Sequence, residues 1–305
     1  MLFSCGPSLI RGGCHVMQRQ FIPKDVLQTM QDEKVTATMM VPTMINFLLD
    51  LPELETYNLD ALAWTMVGGS PMSPANAERM IKKLGCQYYS AYGLTETTPL
   101  LTMGNLKSTL TDKPESEKMD YITRTGLEVP GVDIRVVDIN DNAVPWDGTT
   151  VGEIIVRGDN VMKGYWKLPE ATKEVIKNGF FYTGDLATVD PQGYVLIVDR
   201  AKDIIISGGE NISSVEIENI IYKHSHVLEC AVIGVFDDKW GEVPAALVVK
   251  KQNTDLSEQE LSEFCRERLA KFKLPKKIRF LSELPKTGSG KILKTILRDK
   301  YTTSS

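Results

Sequence analysis

Three short segments in the second half of the chain carry residue types that could hold a nucleotide. Asp185 offers two acceptor oxygens, which suit a pair of neighbouring hydroxyl groups, and Arg200 offers a planar cation that stays charged. Gly208 and Gly209 supply backbone without side chains, as a moving loop or a closely bound ligand requires. The pattern predicts a nucleotide-using enzyme with a lid. The segments are Tyr182-Thr-Gly-Asp185, Asp199-Arg-Ala-Lys-Asp203 and Ser207-Gly-Gly-Glu-Asn-Ile212.

A second candidate motif, Tyr92-Gly-Leu-Thr-Glu96, follows a predicted strand at residues 86–90. Open α/β sheets bind ligands at the carboxyl ends of their strands. Gly93 permits a tight turn, the Thr95 hydroxyl can donate to a phosphate, and Glu96 offers the hard oxygen ligand that Mg²⁺ prefers. The motif therefore predicts a phosphate and metal site.

Alternating helices and strands are predicted to position this motif, which favours a parallel sheet covered by helices. The predicted helices are 23–34, 43–50 and 74–84, and the predicted strands are 35–40, 63–67 and 86–90. From about Ile122, short β-branched runs separated by turns predict a small β-rich, barrel-like subdomain. After Arg200, Ser213-x-x-Glu216 and Ser257-x-x-Glu260 have capping-box spacing, each before a helical pattern. The predicted class is α/β, with part of a large sheet subdomain (1–120), the β-rich subdomain (121–199), a hinge (200–203) and a mobile α+β C-terminal lid domain (204–305).

Composition restricts the class of protein. With 305 residues, 42% hydrophobic and 25% charged, the chain is expected to be globular rather than disordered or fibrous. Its 5 cysteines contain no Cys-x-x-Cys pair, so a reducing, cytoplasmic location is expected. No apolar run reaches the length of a membrane-spanning helix, and the apolar start of the chain, broken by Gly6 and Pro7, is not expected to be a signal peptide. Net charge is −5, yet residues 266–300 are strongly basic, which predicts a phosphate-rich ligand there. No nucleic-acid partner is expected.

Two further patterns are rejected as sites. Thr287-Gly-Ser-Gly-Lys291 resembles a phosphate-binding P-loop, but Pro285 replaces its first glycine and Ile292 follows the lysine. His224 and His226 lack a third metal ligand nearby in sequence and are predicted to be surface residues.

Seven motifs in order and spacing give the chain its family resemblance, and together they make coincidence negligible. The chain resembles the AMP-forming acyl- and aryl-CoA synthetases, part of an adenylating superfamily with the luciferases and the adenylation domains of peptide synthetases. The motifs are Gly68-Gly-Ser-Pro-Met72, Tyr92-Gly-Leu-Thr-Glu96, Gly164-Tyr-Trp166, Tyr182-Thr-Gly-Asp185, Asp199-Arg-Ala-Lys-Asp203, Gly208-Gly-Glu-Asn-Ile212 and Pro285-Lys-Thr-Gly-Ser-Gly-Lys291.

The resemblance implies an acid–thiol ligase that uses ATP, Mg²⁺ and coenzyme A, and releases AMP. It implies that Asp185 binds both ribose hydroxyls and that Arg200 contacts the ribose or phosphate. Lys291 would bridge the carboxylate substrate and the α-phosphate, while Lys202 would act as the hinge. The remaining implied contacts are Gly68, Gly69 and Ser70 beside adenine, Tyr92 stacked on the base, Gly93 and Thr95 in the phosphate loop, Glu96 on the metal, Gly208 and Gly209 along the pantetheine tunnel, and Trp240, Phe272 and Lys276 on the CoA nucleotide. Leu274 stands where an arginine of this last group is usual, and Gly164-Tyr165-Trp166 is predicted to be structural packing.

The chain resembles only the C-terminal three-fifths of such a synthetase, and the family's Ser/Thr/Gly-rich phosphate loop is not found in it. Two interpretations follow: a ligase whose N-terminal part lies outside this sequence, or a nucleotide- and CoA-binding protein with weak catalysis. Exposed apolar surface would favour the missing part, another partner or a homo-oligomer. Residues 67–70 and 97–100 are small and apolar and offer no cation for a second carboxylate or amine. Tyr92-Gly-Leu-Thr-Glu96 followed by small residues resembles the fatty-acyl synthetases, which implies a medium- or long-chain fatty acid, with an aryl acid as the alternative. A peptide-synthetase module is disfavoured because no carrier domain follows Lys300, and a luciferase-like oxygenase stays open.

Overall fold

A computed structural model describes residues 8–287 and 290–301. These residues form two compact units. The first contains residues 8–183 and 187–197, and the second contains residues 184–186 together with the described residues from 198 onward. None of the helices in these ranges has the length and apolar character needed to cross a membrane.

The first unit contains a mixed sheet with strand order β1-β2-β3-β4-β5. The first three strands are parallel, with Met40 opposite Val67 and Val67 opposite Ser90, which confirms the predicted parallel sheet. The last two are short and antiparallel, and the sequence pattern did not predict them. The strands are β1 (Ala37–Met40), β2 (Trp64–Gly68), β3 (Gln87–Tyr92), β4 (Thr102–Met103) and β5 (Leu127–Glu128).

Between residues 23 and 183, five helices accompany the strands of this unit, and all but α4 have proline in their first turn, where the missing N–H costs no helical hydrogen bond. Ser73 caps α3 by accepting from Asn76 N at 3.3 Å, and Gly85 ends it in the left-handed region with φ 68°. Leu27, Ile45 and Met80 are fully buried in the core between these helices and the sheet. The helices are α1 (Pro23–Asp32), α2 (Pro42–Leu49), α3 (Pro74–Leu84), α4 (Glu115–Thr123) and α5 (Pro169–Val175).

A second sheet has strand order β10-β9-β7-β6, with β8 paired to β9. Strands β6 and β7 are antiparallel, with Val132 opposite Gly158. Val136, Ile154 and Phe181 are buried in its core, as expected for alternating strands. The region is β-rich as predicted. The strands are β6 (Val132–Val137), β7 (Gly152–Gly158), β8 (Ile176–Lys177), β9 (Phe180–Val189) and β10 (Val195–Arg200).

The second unit is an α+β domain, as predicted, built on a sheet of order β12-β11-β14-β13 with β15 parallel to β14. Because side chains alternate along a strand, the sheet buries residues on both faces. One face packs against α6 and α7, and the other packs against α8. The elements are β11 (Ile205–Ser207), β12 (Glu210–Ile212), α6 (Ser214–Ile221), β13 (Val227–Asp237), β14 (Gly241–Lys250), α7 (Glu258–Arg266), β15 (Lys277–Leu281) and α8 (Lys294–Tyr301).

Both predicted capping serines occupy their positions in this unit. Ser213 Oγ accepts from Glu216 N at 3.1 Å, and Ser257 Oγ accepts from Glu260 N at 3.1 Å. Each bond satisfies an orphan donor at the start of a helix. The first of these caps fixes the start of α6 beside the Asp199–Asp203 motif, since the hydroxyl of Ser213 also donates to Val198 O at 2.8 Å.

Candidate active site

Two glycine turns in the first unit follow the adjacent parallel strands β2 and β3. A Cβ atom on Gly68 would lie 2.8 Å from Ala91 O, and Gly69 has φ +86°. Both observations require glycine there. Ser70, the next residue, is exposed. The predicted adenine loop therefore presents backbone at the carboxyl end of the sheet, where α/β folds bind ligands.

The loop after β3 is tighter still. A Cβ atom on Gly93 would lie 1.5 Å from Pro99 O, so no side chain fits. Tyr92 is the last residue of β3, two residues beyond the predicted end of that strand, and its carbonyl accepts from Leu101 N at 2.8 Å. The resulting loop leaves Thr95 exposed and Glu96 half-buried.

Tyr165 supplies a hydrogen bond to the Glu96 carboxylate that sequence reasoning missed. Its hydroxyl donates to Glu96 Oε1 at 3.1 Å, while Met162 N donates to Glu96 O at 2.7 Å. Burial raises the pKa of Tyr165, and the bond to Glu96 raises it further. The prediction that Gly164-Tyr165-Trp166 is packing is wrong for Trp166, which is 85% exposed.

Glu96 fits the role of a magnesium ligand. Among the described residues no lysine or arginine forms an ion pair with it, and no three or more His, Cys, Asp or Glu side chains cluster as a metal site. Mg²⁺ commonly keeps several waters and binds through one or two carboxylates plus substrate phosphates. A single available carboxylate matches that donor set.

In the second unit, Asp185 and Arg200 form an ion pair. Arg200 Nε lies 3.1 Å from Asp185 Oδ1, and Asp185 is only 4% exposed. Asp199 fixes the backbone beside them, because its Oδ1 accepts from Arg200 N at 2.7 Å and its Oδ2 accepts from Ser214 Oγ at 2.7 Å. These contacts fix the Asp185 carboxylate against the guanidinium and hold the backbone of Arg200 in place.

Lys291 lies on a loop that is anchored on both sides. Thr287 N donates to Lys291 O at 2.8 Å, and Lys291 N donates to Thr287 Oγ1 at 3.1 Å. Lys286 Nζ lies 2.6 Å from Oε1 of buried Glu229, and Lys294 Nζ lies 2.7 Å from Glu218 Oε1. The predicted motif residues Gly288 and Ser289 lie outside the described residues.

The predicted catalytic lysine shares an electrostatic environment with the ion pair. The Lys291 side chain is exposed in part, yet partial burial lowers the pKa of its ammonium group below the ordinary 10.5. Repulsion from Arg200, followed by Lys202 and Lys294, lowers that pKa further, whereas Asp185 raises it. The charges of Arg200 and Asp185 in the second unit therefore act on the Lys291 ammonium group.

The other residues predicted in this unit are accessible. Gly208 has φ +59°, and a Cβ atom there would lie 2.6 Å from the Trp240 ring, while Gly209 has φ +90° and open space. Trp240 is 46% exposed. The side chains of Phe272, Lys276 and Lys202 are also exposed. Leu274 packs partly into the core, and as a leucine it supplies no cation at its position.

Comparison with known proteins identifies the family of the chain. Residues 1–166 match the AMP-binding enzyme family, and residues 216–291 match the AMP-binding enzyme C-terminal domain. The chain belongs to the AMP-binding enzyme family. This member is 41% identical over 303 residues to a peroxisomal benzoate–CoA ligase of Arabidopsis thaliana, covering 95% of this chain and 52% of that protein. It is 40% identical over 297 residues to a feruloyl-CoA synthase of Amycolatopsis sp, covering 97% and 58%.

A solved structure is similar to this AMP-binding family member as well. ATP-bound MatB from Rhodopseudomonas palustris aligns with a TM-score of 0.85 and 33% identity, covering 98% of this chain and 57% of that one. The chain thus spans about half the length of the curated relatives it matches.

Sequence reasoning missed the buried and half-buried charged residues around the Lys291 loop. Glu218, Glu229 and Lys294 have no motif of their own, although three-residue spacing from Lys291 places Lys294 near it. The prediction that both histidines are surface residues is wrong for His224, which is 9% exposed and lies 4.9 Å from the Phe264 ring, centroid to centroid.

Proposed function

We propose that the protein activates a carboxylic acid with ATP and transfers the acyl group to coenzyme A. In the first step the carboxylate attacks the α-phosphate, forming an acyl-adenylate and releasing pyrophosphate. In the second step the CoA thiol attacks the acyl carbon, forming a thioester and releasing AMP. The observation that carries the proposal is the Asp185–Arg200 ion pair in the second unit, whose charges act on Lys291.

These three residues suit a nucleoside monophosphate ester. Asp185 accepts hydrogen bonds from the ribose hydroxyls, since its carboxylate is already oriented by Arg200. Arg200 contacts the ribose or phosphate, and Lys291 donates to the substrate carboxylate and α-phosphate oxygens, where negative charge accumulates in the transition state. The adenine is assigned to Gly68, Gly69, Ser70 and Tyr92.

Phosphate binding by the first unit is assigned to Gly93, Thr95 and Glu96. When bound to Glu96, Mg²⁺ would neutralise charge on the departing pyrophosphate. For the second step, Gly208 and Gly209 are assigned to the pantetheine path, Lys202 to the hinge, and Trp240, Phe272 and Lys276 to the CoA nucleotide. Exposed aromatic rings can stack on adenine, and an exposed ammonium can bind phosphate, so these accessible positions support the assignment.

An aryl acid is the proposed substrate class. The two relatives described above are named for benzoate and for a feruloyl thioester, and they favour this class over the medium- or long-chain fatty acid that sequence reasoning put first. Within the described ranges, Val67–Ser70 and Thr97–Leu100 carry no charge, which suits an uncharged aromatic or aliphatic tail.

The test is ATP–pyrophosphate exchange by the purified 305-residue chain with benzoate, cinnamate, ferulate, butyrate, octanoate and palmitate. Aryl acids are expected to support the fastest exchange, and CoA is expected to yield the matching thioester. Lys291→Ala should abolish exchange while sparing thioester formation from supplied acyl-adenylate. Exposed Lys223→Ala, in the same unit, is the matched control. Equal loss of both half-reactions in Lys291→Ala would contradict the role of Lys291.

A second candidate is a nucleotide- or CoA-binding protein with weak catalysis. It predicts that calorimetry detects AMP or CoA binding while exchange stays at background with every acid. The protein is proposed to be located in a reducing compartment. Imaging of the tagged protein would distinguish the cytosol from the peroxisome named for the Arabidopsis relative.

A further inference from the structure

A segment from Gly158 to Thr172, here named the clasp, holds the loop from Thr95 to Leu100 by both backbone and side chains. It contacts three residues of that loop, and at Glu96 it contacts both the backbone carbonyl and the carboxylate. The contacts are Asn160 Nδ2 to Thr97 O at 2.8 Å and to Leu100 O at 3.1 Å, Met162 N to Glu96 O at 2.7 Å, and Tyr165 Oη to Glu96 Oε1 at 3.1 Å.

The clasp also fixes the residue that reaches the carboxylate. Thr172 Oγ1, on α5, accepts from Tyr165 N at 2.9 Å and donates to Leu168 O at 2.9 Å. A Cβ atom on Gly164 would lie 2.7 Å from Thr172 Cγ2, so the close approach requires glycine. The backbone of Tyr165 is therefore held in place while its ring extends to Glu96.

We propose that Tyr165 is a positioning residue that orients the Glu96 carboxylate for a divalent cation. A glutamate side chain has several rotatable bonds, and the hydroxyl bond to Oε1 restricts them. Partners that hydrogen-bond a metal-binding carboxylate commonly change metal affinity by about 10–100-fold when removed. The inference rests on the proposed function, because it takes Glu96 as the ligand of Mg²⁺. It gives the clasp a role beyond joining two segments of the first unit.

The test measures Mn²⁺ binding by electron paramagnetic resonance in the presence of ATP, using the purified chain. Tyr165→Phe removes only the hydroxyl and should weaken Mn²⁺ binding about 10-fold with little change in melting temperature. Thr172→Val should also weaken Mn²⁺ binding, but by less, because the Tyr165 hydroxyl that bonds to Glu96 remains. The control is Tyr89→Phe, which removes a hydroxyl bond to Gln87 Oε1 of 2.8 Å at another place in the unit. It should leave Mn²⁺ affinity unchanged.

Glu96→Gln separates the two hypotheses. If Glu96→Gln weakens Mn²⁺ binding and Tyr165→Phe does not, the positioning role is overturned and the metal role stands. If neither substitution changes the affinity, or if the chain binds no Mn²⁺ with ATP, the metal assignment in the proposed function fails and the positioning role fails with it. A fall in melting temperature for Tyr165→Phe at unchanged Mn²⁺ affinity would assign Tyr165 a purely structural role.

Discussion

The Lys294 ammonium lies between two acceptors, 2.7 Å from Glu218 Oε1 and 2.7 Å from Ser214 Oγ. Ser214 Oγ in turn donates to Asp199 Oδ2, and the same carboxylate group binds the backbone of Arg200. A continuous chain of polar contacts therefore joins the start of α8, three residues after Lys291, to the strand end that carries Arg200.

Lys294→Met should lower the free energy of unfolding of the second unit by about 3–5 kcal/mol, because it leaves the carboxylate of Glu218 largely buried without its cation. Urea unfolding followed by tryptophan fluorescence measures the change. The matched control is Lys273→Met, which breaks a more exposed 2.6 Å pair with Glu216 on the same helix and should cost at most about 1 kcal/mol.

Adding Glu218→Leu to Lys294→Met should restore much of the lost stability, since the buried charge is then removed as well. Equal destabilisation by Lys294→Met and Lys273→Met would contradict the importance assigned to the Lys294–Glu218 pair.

Under the proposed function, the rate of adenylation should fall at alkaline pH, through a pKa below the ordinary lysine value of 10.5, because Lys291 is proposed to donate as an ammonium group. Lys291→Arg should retain activity above that pH, and Arg200→Gln should move the alkaline limb to higher pH by removing the repulsion of Arg200. Pyrophosphate exchange at saturating ATP, followed from pH 7 upward, measures the limb. A limb that stays in place in Arg200→Gln would contradict the coupling.

The lowered pKa of Lys291 also makes the stability of the folded protein depend on pH. Because the folded-state pKa of Lys291 lies below its unfolded value, the unfolded chain binds more protons between the two values. The contribution of Lys291 to stability is therefore unfavourable at neutral pH and rises as pH increases through that window. Lys291→Met should remove this rise, as measured by urea midpoints between pH 8 and 10.5.

Gly93→Ala should destabilise the first unit strongly, by about 3 kcal/mol, because the added Cβ would lie 1.5 Å from Pro99 O and the backbone must move. Gly85→Ala is the control, since its Cβ would meet nothing within 4 Å and only the positive φ opposes it. That strain costs about 1 kcal/mol. Thermal unfolding of both variants measures the difference, and equal losses would be inconsistent with the close approach.

Alkylation by iodoacetamide at pH 8 should label Cys14, which is exposed, and spare Cys86, Cys230 and Cys265 in the folded protein. Burial raises the pKa of each of these three thiols, that of Cys265 to about 11, so few thiolates are present. Peptide mass spectrometry assigns each label and keeps Cys5, which lies outside the described residues, from affecting the result. Labelling of Cys230 before unfolding would show that the second unit opens readily.

Sequence reasoning found the residues whose type is restricted by chemistry or by backbone geometry. Gly93 has no room for a side chain, and Asp185, Arg200 and Lys291 stand in motifs whose order can be read along the chain. Helix α3 was predicted at its observed bounds because a proline, a capping serine and a terminal glycine mark it locally.

The supporting residues could not be predicted in this way. Glu218 and Lys294 are far apart in sequence and meet only after the sheet of the second unit has formed. The hydroxyl bond from Tyr165 to Glu96 joins residues 69 positions apart. Strands β4 and β5 have two residues each, too few to show a period.

The polar chain from Asp199 through Ser214 and Lys294 to Glu218 has a consequence for engineering by recombination. A hybrid protein that takes the Lys291 loop and Lys294 from one parent and helix α6 from another would combine contacting side chains from two different proteins. Crossovers should therefore keep residues 199–294 from a single parent, so that Arg200, the proposed nucleotide-binding cation, and Lys291, the proposed catalytic lysine, are inherited as one block.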